Sequence, residues 1–333
     1  MKKLLATIVL ALVVSSFSVL CQAEPLTLKA GHTLTSDHPY HLGLLYLADL
    51  LKERTKGEVI LQPFPDSMLG SEQELIEYLQ MGTVDVTCVS SGPLSGFTDA
   101  FLVLDLPFIF PDAPTARRVL DGPIGQKILD SVENIDLIGL TFFENGFRHL
   151  TNSARPIVVP EDAKGLKIRT MQSQIHRDSF KAIGADPIPL PFGELFPSLK
   201  NKSLDGQENP IPIIYNSKFY EVQGFCSLTG HFYSPTPVFV SKTAWQKLTD
   251  EQKTIFREAA KEARDYQRKL IDEQNAIFVD KLKELGMRVD EVDKALWLKA
   301  MEPVYELFRS EGKAGALQEV QDEMAKGNAA PAP

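Results

Sequence analysis

Cysteine is scarce in this sequence, and its scarcity excludes a scaffold that is stabilised by several disulfide bonds. Only Cys21, Cys88 and Cys226 occur among the 333 residues. Cys21 lies in an apolar leader, which leaves two cysteines for the rest of the chain. Two cysteines cannot supply the several cross-links of a disulfide-rich scaffold. Cys88 lies in an apolar stretch, and we expect it to be a buried thiol.

Positive charge is also in short supply. The formal net charge is −9, and loss of the leader would make it two units more negative, because the leader carries Lys2 and Lys3 but no acid. A surface with this excess of acidic side chains repels phosphate groups. Nucleic acid is therefore not an expected partner.

Long apolar runs are absent after the start of the chain, where a membrane span would need about 20 such residues. The first run has the form of a secretory signal peptide: Lys2 and Lys3 precede apolar residues 4–20, and small residues follow up to Ala23. A lipid anchor on Cys21 would require a small residue before it, and Leu20 stands there. We expect cleavage after Ala23 and a soluble mature protein in a bacterial periplasm.

Motifs of the common enzyme classes are missing too. The sequence has no glycine-rich nucleotide loop, no nucleophile elbow and no CxxC. His32, His38 and His41 are close in sequence, but their spacing does not fit a helical pair of metal ligands. No metal and no cofactor is expected. Glu144 and Glu208 leave two roles open, which are acid–base chemistry and the orientation of nearby arginines.

The chain does contain the alternation of strands and helices that is typical of an α/β protein. Ser71 and Glu74 have the spacing of a capping box, and Gly82 follows the predicted end of that helix. Strands are predicted over residues 26–30, 58–65, 84–89, 137–150, 166–169, 204–209 and 238–240, with a turn at residues 144–148. Helices are predicted over residues 39–56, 71–81, 113–120, 124–132, 174–183, 249–285 and 294–310.

Two features concern the relation between the halves of the chain. Thr249 and Gln252 form a second capping-box pattern, and no proline or glycine follows until Gly286. This predicts a rod of about 54 Å that runs along two domains, or a helix broken near residues 272–275. Residues 79–85 are echoed by residues 199–205. The echo indicates either equivalent strands that end at a shared cleft or two unrelated helix-to-strand turns.

The polar residues of the 165–210 segment favour an anion-binding site. Arg169 lies near the end of one predicted strand, and Glu208 and Asn209 lie near the end of another. A guanidinium fork matches a carboxylate, and an asparagine amide adds a directed hydrogen bond. Ligands of open α/β sheets bind at the carboxyl ends of strands. A surface arginine, or one paired with a structural carboxylate, is the alternative for Arg169.

Several motifs in order resemble the solute-binding proteins of tripartite ATP-independent periplasmic (TRAP) transporters, the DctP family. The matching segments are ERTKGEV, the LG of SMLGSEQE, LDLPFIF, ENGFRHLTNS, GLKIRT, the spaced run from Pro189 to Glu194, LDGQENP and SKFYEVQ, and they span the mature chain. The resemblance implies an α/β, two-domain periplasmic binding protein fold with a long domain-spanning helix. The implied division is residues 24–145 with 235–274, and residues 146–234 with 275–326. Residues 1–23 are the signal peptide, and residues 327–333 are expected to be a disordered tail.

The same resemblance implies roles for individual residues. Arg169 is similar to the arginine that holds the ligand carboxylate, with Arg148 as a second cation and Asn209 as the neighbouring amide. Phe192 is similar to an aromatic wall, and Glu72 to a residue at the far end of the ligand. His32, Glu72, Ser90, Ser91 and Glu208 are available to bind the hydroxyl groups of a sugar acid.

The implied ligand is an organic acid that the protein captures by domain closure and delivers to the membrane permease subunits of the transporter. Sialic acid is disfavoured, because Ser90 and Pro93 stand where sialic acid receptors carry a glutamate and an arginine. The motifs most resemble the branch of 2,3-diketo-L-gulonate and hexuronate receptors. A C4-dicarboxylate or keto-acid receptor is the alternative within the family, and a periplasmic sensor or an enzyme is the alternative outside it.

Overall fold

The computed structural model describes residues 24–326; the expected leader, its cleavage site and the expected tail lie outside this range. The strands are β1 Leu26–Gly31, β2 Val59–Phe64, β3 Val86–Cys88, β4 Leu137–Asn152, β5 Lys167–Thr170, β6 Asp186–Pro189, β7 Gly206–Pro210, β8 Phe225–Ser241 and β9 Arg288–Asp290. The helices are α1 Pro39–Arg54, α2 Glu72–Met81, α3 Ser91–Leu94, α4 Ala113–Asp121, α5 Pro123–Ser131, α6 Gln174–Ala182, α7 Leu195–Lys200, α8 Ile211–Asn216, α9 Lys242–Gln246, α10 Asp250–Glu284, α11 Lys294–Phe308 and α12 Ala314–Lys326. The predicted α/β class is confirmed.

One mixed sheet runs through the molecule in the order β2-β1-β3-β8-β4-β7-β5-β6, with β9 paired to β8. The outer strands pair in parallel on each side, as β2-β1-β3 and as β6-β5-β7. The long antiparallel strands β4 and β8 lie between these two groups. The sheet therefore consists of two similar halves: the first half is built on β2-β1-β3, and the second half on β6-β5-β7.

The sequence echo corresponds to an equivalent structural unit in each half. In the first half, the Lys29 amide donates to the Asp85 carboxylate at 2.8 Å. In the second half, the Lys167 amide donates to the Asp205 carboxylate at the same distance. Each aspartate thus aligns the strand that follows it with its parallel neighbour. The exits of β3 and β7 consequently lie at one shared cleft.

The strands β4 and β8 are longer and less regular than predicted. The predicted strand at residues 238–240 is only the end of β8, and the predicted turn at residues 144–148 is part of a continuous strand. Pro235 and Pro237 obscure β8 in the sequence, because proline cannot donate to a ladder and usually indicates an edge strand or a loop. Register shifts interrupt the β4–β8 pairing, and one of them lies between Glu144 and Gly146.

The long helix α10 is a single element, and the alternative of a break near residues 272–275 is excluded. It begins at a Thr249 capping box and continues for 35 residues, about 52 Å. Its buried face packs against α1 and β4, and then against α8 and β9. It therefore runs along both halves, as predicted.

The C-terminal helices cross from one half to the other. Helix α11 packs against α6 in the second half, whereas α12 packs against α4 and α5 in the first half. The predicted division differs here, since it places residues 275–326 together. Its other boundaries fall where Glu144 pairs with Pro235 and Gly146 with Ser234, within a continuous sheet, and the division into domains stays a prediction. Within residues 24–326, no helix is long and apolar enough to cross a membrane.

Candidate functional site

A narrow cavity lies where the exits of β3, β5 and β7 face one another. Its lining comprises Thr33, Leu34, Tyr40, Glu72, Ser90, Asn145, Arg148, Arg169, Met171, Phe192, Asn209 and Ile213. The cavity thus brings together the predicted residues Glu72, Ser90, Arg148, Arg169, Phe192 and Asn209. The predicted residues His32 and Ser91 are not among the residues that line it.

Arg169 is a buried cation without a carboxylate partner among residues 24–326. Strand β5 delivers it to the cavity, where 3% of the residue is exposed. Its Nε donates to the Leu190 carbonyl oxygen at 2.8 Å, which fixes the guanidinium plane and leaves the two Nη groups for a ligand. Burial, followed by repulsion from Arg148, lowers the pKa of Arg169 to about 10. The side chain still carries its charge at neutral pH, so it requires an anion.

Arg148 is held by a partner of its own. Its Nη2 donates to Glu208 Oε1 at 2.7 Å, to the Glu208 carbonyl oxygen and to Asn209 Oδ1, and its Nε donates to Glu208 Oε2. Burial alone would raise the pKa of Glu208, but Arg148 and the neighbouring His231 outweigh it and hold that pKa well below its usual range. The pair is therefore ionised and nearly neutral overall. The proposed role of Glu208 in orienting an arginine is confirmed.

One edge of Arg148 remains available. Its Nη1 is buried and has no hydrogen-bond partner among the described residues. Asn209 accepts from Arg148 through Oδ1 and donates through Nδ2 to Gln207 Oε1. Phe192 follows β6 and packs against Phe219, with ring centroids 6.1 Å apart. This side of the cavity offers donors for an anion beside an apolar wall.

The opposite side carries an acidic group. Glu72 is the first residue of α2, which the Ser71–Glu74 capping box starts and Gly82, at φ +71°, ends. Glu72 Oε1 accepts from the Ser90 amide at 2.7 Å. Burial raises the pKa of Glu72, although the Ser90 hydrogen bond and the two arginines oppose this. The cavity thus has a cationic end and an acidic end.

His32 and Ser91 are engaged elsewhere. His32 Nε2 lies 3.1 Å from His41 Nδ1, and burial, together with His41, lowers the pKa of His32 to about 3. The Ser91 hydroxyl donates to Asp105 Oδ1. Direct ligand contacts for these two residues stay untested predictions, and their positions favour a supporting role.

Glu144 faces away from the arginines of the cavity. It accepts from Arg117 Nε at 2.5 Å, and Arg117 also pairs with Asp272 of the long helix. Glu144 therefore orients an arginine, but that arginine is Arg117 and not Arg148 or Arg169. Adjacent residues of a strand point to opposite sides, and Glu144 lies on the side of α10. No group of residues in the described 24–326 range has the make-up of a metal site.

The sequence did not reveal several lining residues. Tyr40 lies at the start of α1 and shares a hydrogen bond with Thr236. Asn145 lies in β4 beside Glu144. The signal for Asn145 was its place three residues before Arg148, but a regular strand would separate the two. Thr33, Leu34, Met171 and Ile213 had no distinguishing signal.

The two halves touch at residues that adjoin the cavity lining in sequence, since Gln73 follows Glu72 and Gln172 follows Met171. Gln172 Nε2 of the second half donates to Gln73 Oε1 of the first half at 2.5 Å. The Ser173 hydroxyl donates to Asp105 Oδ2 at 3.2 Å, which links Ser91 to the second half. Burial raises the pKa of Asp105 to about 7 against these hydrogen bonds. These contacts define a closed conformation.

A two-halved α/β fold that closes over a cationic pocket defines a receptor for a small organic anion. The chain belongs to the DctP family, the bacterial extracellular solute-binding proteins of family 7, whose model matches residues 30–311. It is a TRAP periplasmic solute-binding protein, and the family resemblance of the sequence is confirmed.

Relatives cover most of the chain. The 2,3-diketo-L-gulonate-binding periplasmic protein YiaO of Escherichia coli K12 is 38% identical over 87% of this chain and 89% of its own length. A TRAP periplasmic solute-binding protein from Polaromonas sp. JS666, bound to D-erythronate, is 42% identical, with a TM-score of 0.87 and coverage of 92% and 100%. One from Sulfurospirillum deleyianum with bound succinate is 32% identical, with a TM-score of 0.86 and coverage of 90% and 99%.

Proposed function

We propose that this protein captures a hydroxylated monocarboxylate, a sugar acid, in the periplasm and delivers it to the membrane permease subunits of a TRAP transporter. The proposal rests on the presence of two groups in one cavity. One is Arg169, a buried cation without a carboxylate partner among residues 24–326, and the other is the acidic side chain of Glu72. The relatives that bind D-erythronate and 2,3-diketo-L-gulonate support the same ligand class.

The ligand carboxylate is bound at the cationic end. The free Nη groups of Arg169 donate to its oxygens in a fork, and Arg148 Nη1 adds a donor from the side. Glu208 has already neutralised Arg148. The arginine end therefore carries about one net positive charge, which a single ligand carboxylate neutralises.

The acidic end selects what lies at the other end of the ligand. Glu72 accepts hydrogen bonds, so a hydroxyl group there is a favourable partner. A second carboxylate would face Glu72, and two like charges at short distance raise the pKa of one of them. A C4-dicarboxylate would thus bind only with an added proton, at a cost in affinity at neutral pH. This electrostatic asymmetry favours a sugar acid.

Closure couples binding to delivery. The ligand contacts Glu72 and Ser90 in the first half and Arg148 and Arg169 in the second half. It therefore stabilises the closed conformation in which Gln73 and Gln172 meet. A permease that recognises the closed form would receive only loaded receptors. Nothing in this cycle requires turnover of the ligand, and the protein is proposed to act as a receptor without catalytic activity.

A C4-dicarboxylate receptor is the second candidate, and the succinate-bound relative favours it. Thermal shift of residues 24–333 against hexuronates, aldonates, keto-gulonates, C4-dicarboxylates and keto acids separates the two, because a ligand of the native state raises its melting temperature. Shifts with sugar acids alone would support the proposal, and shifts with succinate or malate alone would overturn its ligand class. NMR of the recovered ligand tests for turnover, and capture of the loaded receptor by purified permease tests delivery.

A further inference from the structure

We infer that Asn145 is a ligand-binding residue that holds the hydroxyl group on the carbon next to the ligand carboxylate. The inference rests on the proposed function in one respect, which is that Arg169 and Arg148 bind that carboxylate. It adds a residue and a chemical group: the receptor distinguishes 2-hydroxy acids from their 2-deoxy counterparts through an amide on β4.

A β-bulge places Asn145 in the cavity. In a regular strand, residues three apart point to opposite faces, so Asn145 and Arg148 would be separated. Here Glu144 pairs with Pro235 and Gly146 pairs with Ser234, and Asn145 is left as the extra residue between them. An inserted residue of this kind redirects the side chains that follow. Asn145 and Arg148 consequently line the same cavity.

The backbone conformation indicates that the asparagine at position 145 is needed for its side chain and not for a left-handed backbone. Gly146 has φ +105°, and it supplies the left-handed conformation that the bulge requires. Asn145 is not among the described residues with positive φ. Tolerance of a left-handed backbone, a common reason for asparagine at an irregular position, therefore does not account for it.

The amide lacks the partner that a buried polar group needs. Asn145 is 2% exposed, and its Oδ1 accepts no hydrogen bond from residues 24–326. Its neighbour Glu144 is fully engaged, by Arg117 and through a backbone amide that donates to Gln267. Buried polar atoms without partners are rare, because each costs free energy.

A 2-hydroxy acid satisfies at once the two unpartnered atoms of the cavity-lining residues of β4, Asn145 Oδ1 and Arg148 Nη1. Its carboxylate accepts from Arg148 Nη1, which is also unpartnered among the described residues. Its hydroxyl donates to Asn145 Oδ1. The carboxylate and the hydroxyl group are on adjacent carbons of the ligand. The side chains of Arg148 and Asn145 line the same cavity, because the bulge turns both of them to one side of β4. An acid without the 2-hydroxyl leaves the amide buried and unpaired.

The test uses two matched ligand pairs, so that the proposed ligand class and the role of Asn145 are examined separately. One pair is D-erythronate and the 3,4-dihydroxybutanoate of the same configuration at carbon 3, and the other is L-malate and succinate. Calorimetric titration measures both pairs against wild type, Asn145→Ala, Asn145→Leu and the control Asn201→Ala, whose side chain caps an exposed turn. Leu keeps the size of the side chain without its hydrogen-bonding groups.

Wild type and Asn201→Ala are expected to prefer the 2-hydroxy acid of the bound pair by about tenfold, the value of one hydrogen bond to a buried group. Asn145→Ala and Asn145→Leu are expected to lose this preference, while their affinity for the 2-deoxy acid stays within about threefold. The melting temperature of ligand-free Asn145→Leu is expected to equal or exceed that of wild type, because a buried amide without a partner is removed.

The inference would be overturned if a folded Asn145 variant kept the preference for the 2-hydroxy acid. It would also be overturned if the substitution weakened binding of both members of a pair equally. Equal binding of both members by wild type would overturn it while leaving the sugar-acid class intact. Binding of the malate pair alone would overturn that class, and the preference within this pair would still decide the role of Asn145. Failure of wild type to bind either pair would overturn both.

Discussion

Arg148 and Glu208 form a buried ion pair between β4 and β7, with Arg148 Nη2 2.7 Å from Glu208 Oε1. The strands bring them together because Leu150 pairs with Glu208 and Arg148 pairs with Pro210. The pair cancels the charge of one arginine and leaves Arg169 as the uncompensated cation of the cavity. The charge of the preferred ligand follows from this difference between the two arginines.

Loss of Glu208 should destabilise the ligand-free protein. Glu208→Gln leaves Arg148 as a second buried cation without a counter-ion, and breaking a buried pair costs about 3 kcal/mol. Urea unfolding of the ligand-free chain measures this loss. The control Glu319→Gln removes an exposed ion pair with Lys127 and should change the free energy of unfolding by less than about 1 kcal/mol. Equal effects of the two substitutions would show that the buried pair is unimportant for stability.

Loss of Arg169 should weaken ligand binding without destabilising the ligand-free protein. Arg169→Met removes the donor fork and should weaken ligand binding by about 2–5 kcal/mol. The free energy of unfolding without ligand should stay the same or rise, because a buried charge without a partner disappears. Titration calorimetry and urea unfolding measure the two effects, with Arg177→Met as the control outside the cavity. Affinity within about threefold of wild type would contradict the assignment of Arg169.

The acidic end should make dicarboxylate binding depend on pH. Burial raises the pKa of Glu72, and a second ligand carboxylate raises it further, so succinate binds together with a proton. Its affinity should therefore increase as the pH falls through the raised pKa of Glu72, while that of D-erythronate changes less. Glu72→Gln should remove this pH dependence and strengthen succinate binding by about tenfold at neutral pH.

The exposed Glu77→Gln on the same helix is the matched control and should leave both ligands unchanged. The test is calorimetric titration of each variant with succinate and with D-erythronate at about four pH values between pH 5 and pH 8. A pH-independent succinate affinity in wild type would exclude Glu72 as the group that disfavours dicarboxylates.

The contact between Gln73 and Gln172 should slow ligand release. Gln172→Ala removes a hydrogen bond between the two halves, and such a bond contributes about 1 kcal/mol. The dissociation rate, measured by stopped-flow competition, should rise about fivefold, and the association rate should change little. Gln126→Ala, at an exposed site on α5, should alter neither rate. An unchanged dissociation rate in Gln172→Ala would show that closure does not depend on this contact.

Local signals made much of the fold predictable. The capping boxes at Ser71 and Thr249 indicated the starts of α2 and α10, because each motif satisfies backbone donors within four residues. Arg169 was recognisable as the end of a short strand. These features depend on neighbours in sequence.

Other features depend on partners far along the chain. The 17-residue strand β8 was hidden by Pro235 and Pro237, which its pairing with β3 and β4 accommodates. The separate partners of Glu144 and Glu208 follow from sheet register and from α10. The bulge that turns Asn145 into the cavity breaks the alternation on which sequence-based prediction of strand faces relies.

A comparison of the affinities for hydroxylated monocarboxylates and for a dicarboxylate tests the central claim most directly. Titration calorimetry of residues 24–333 at pH 7.5 would compare D-erythronate, D-galacturonate and succinate. The opposition of Arg169 and Glu72 predicts that at least one sugar acid binds with a dissociation constant near the micromolar range, about −8 kcal/mol, and that succinate binds at least about tenfold more weakly. Tighter binding of succinate than of every sugar acid would contradict the account.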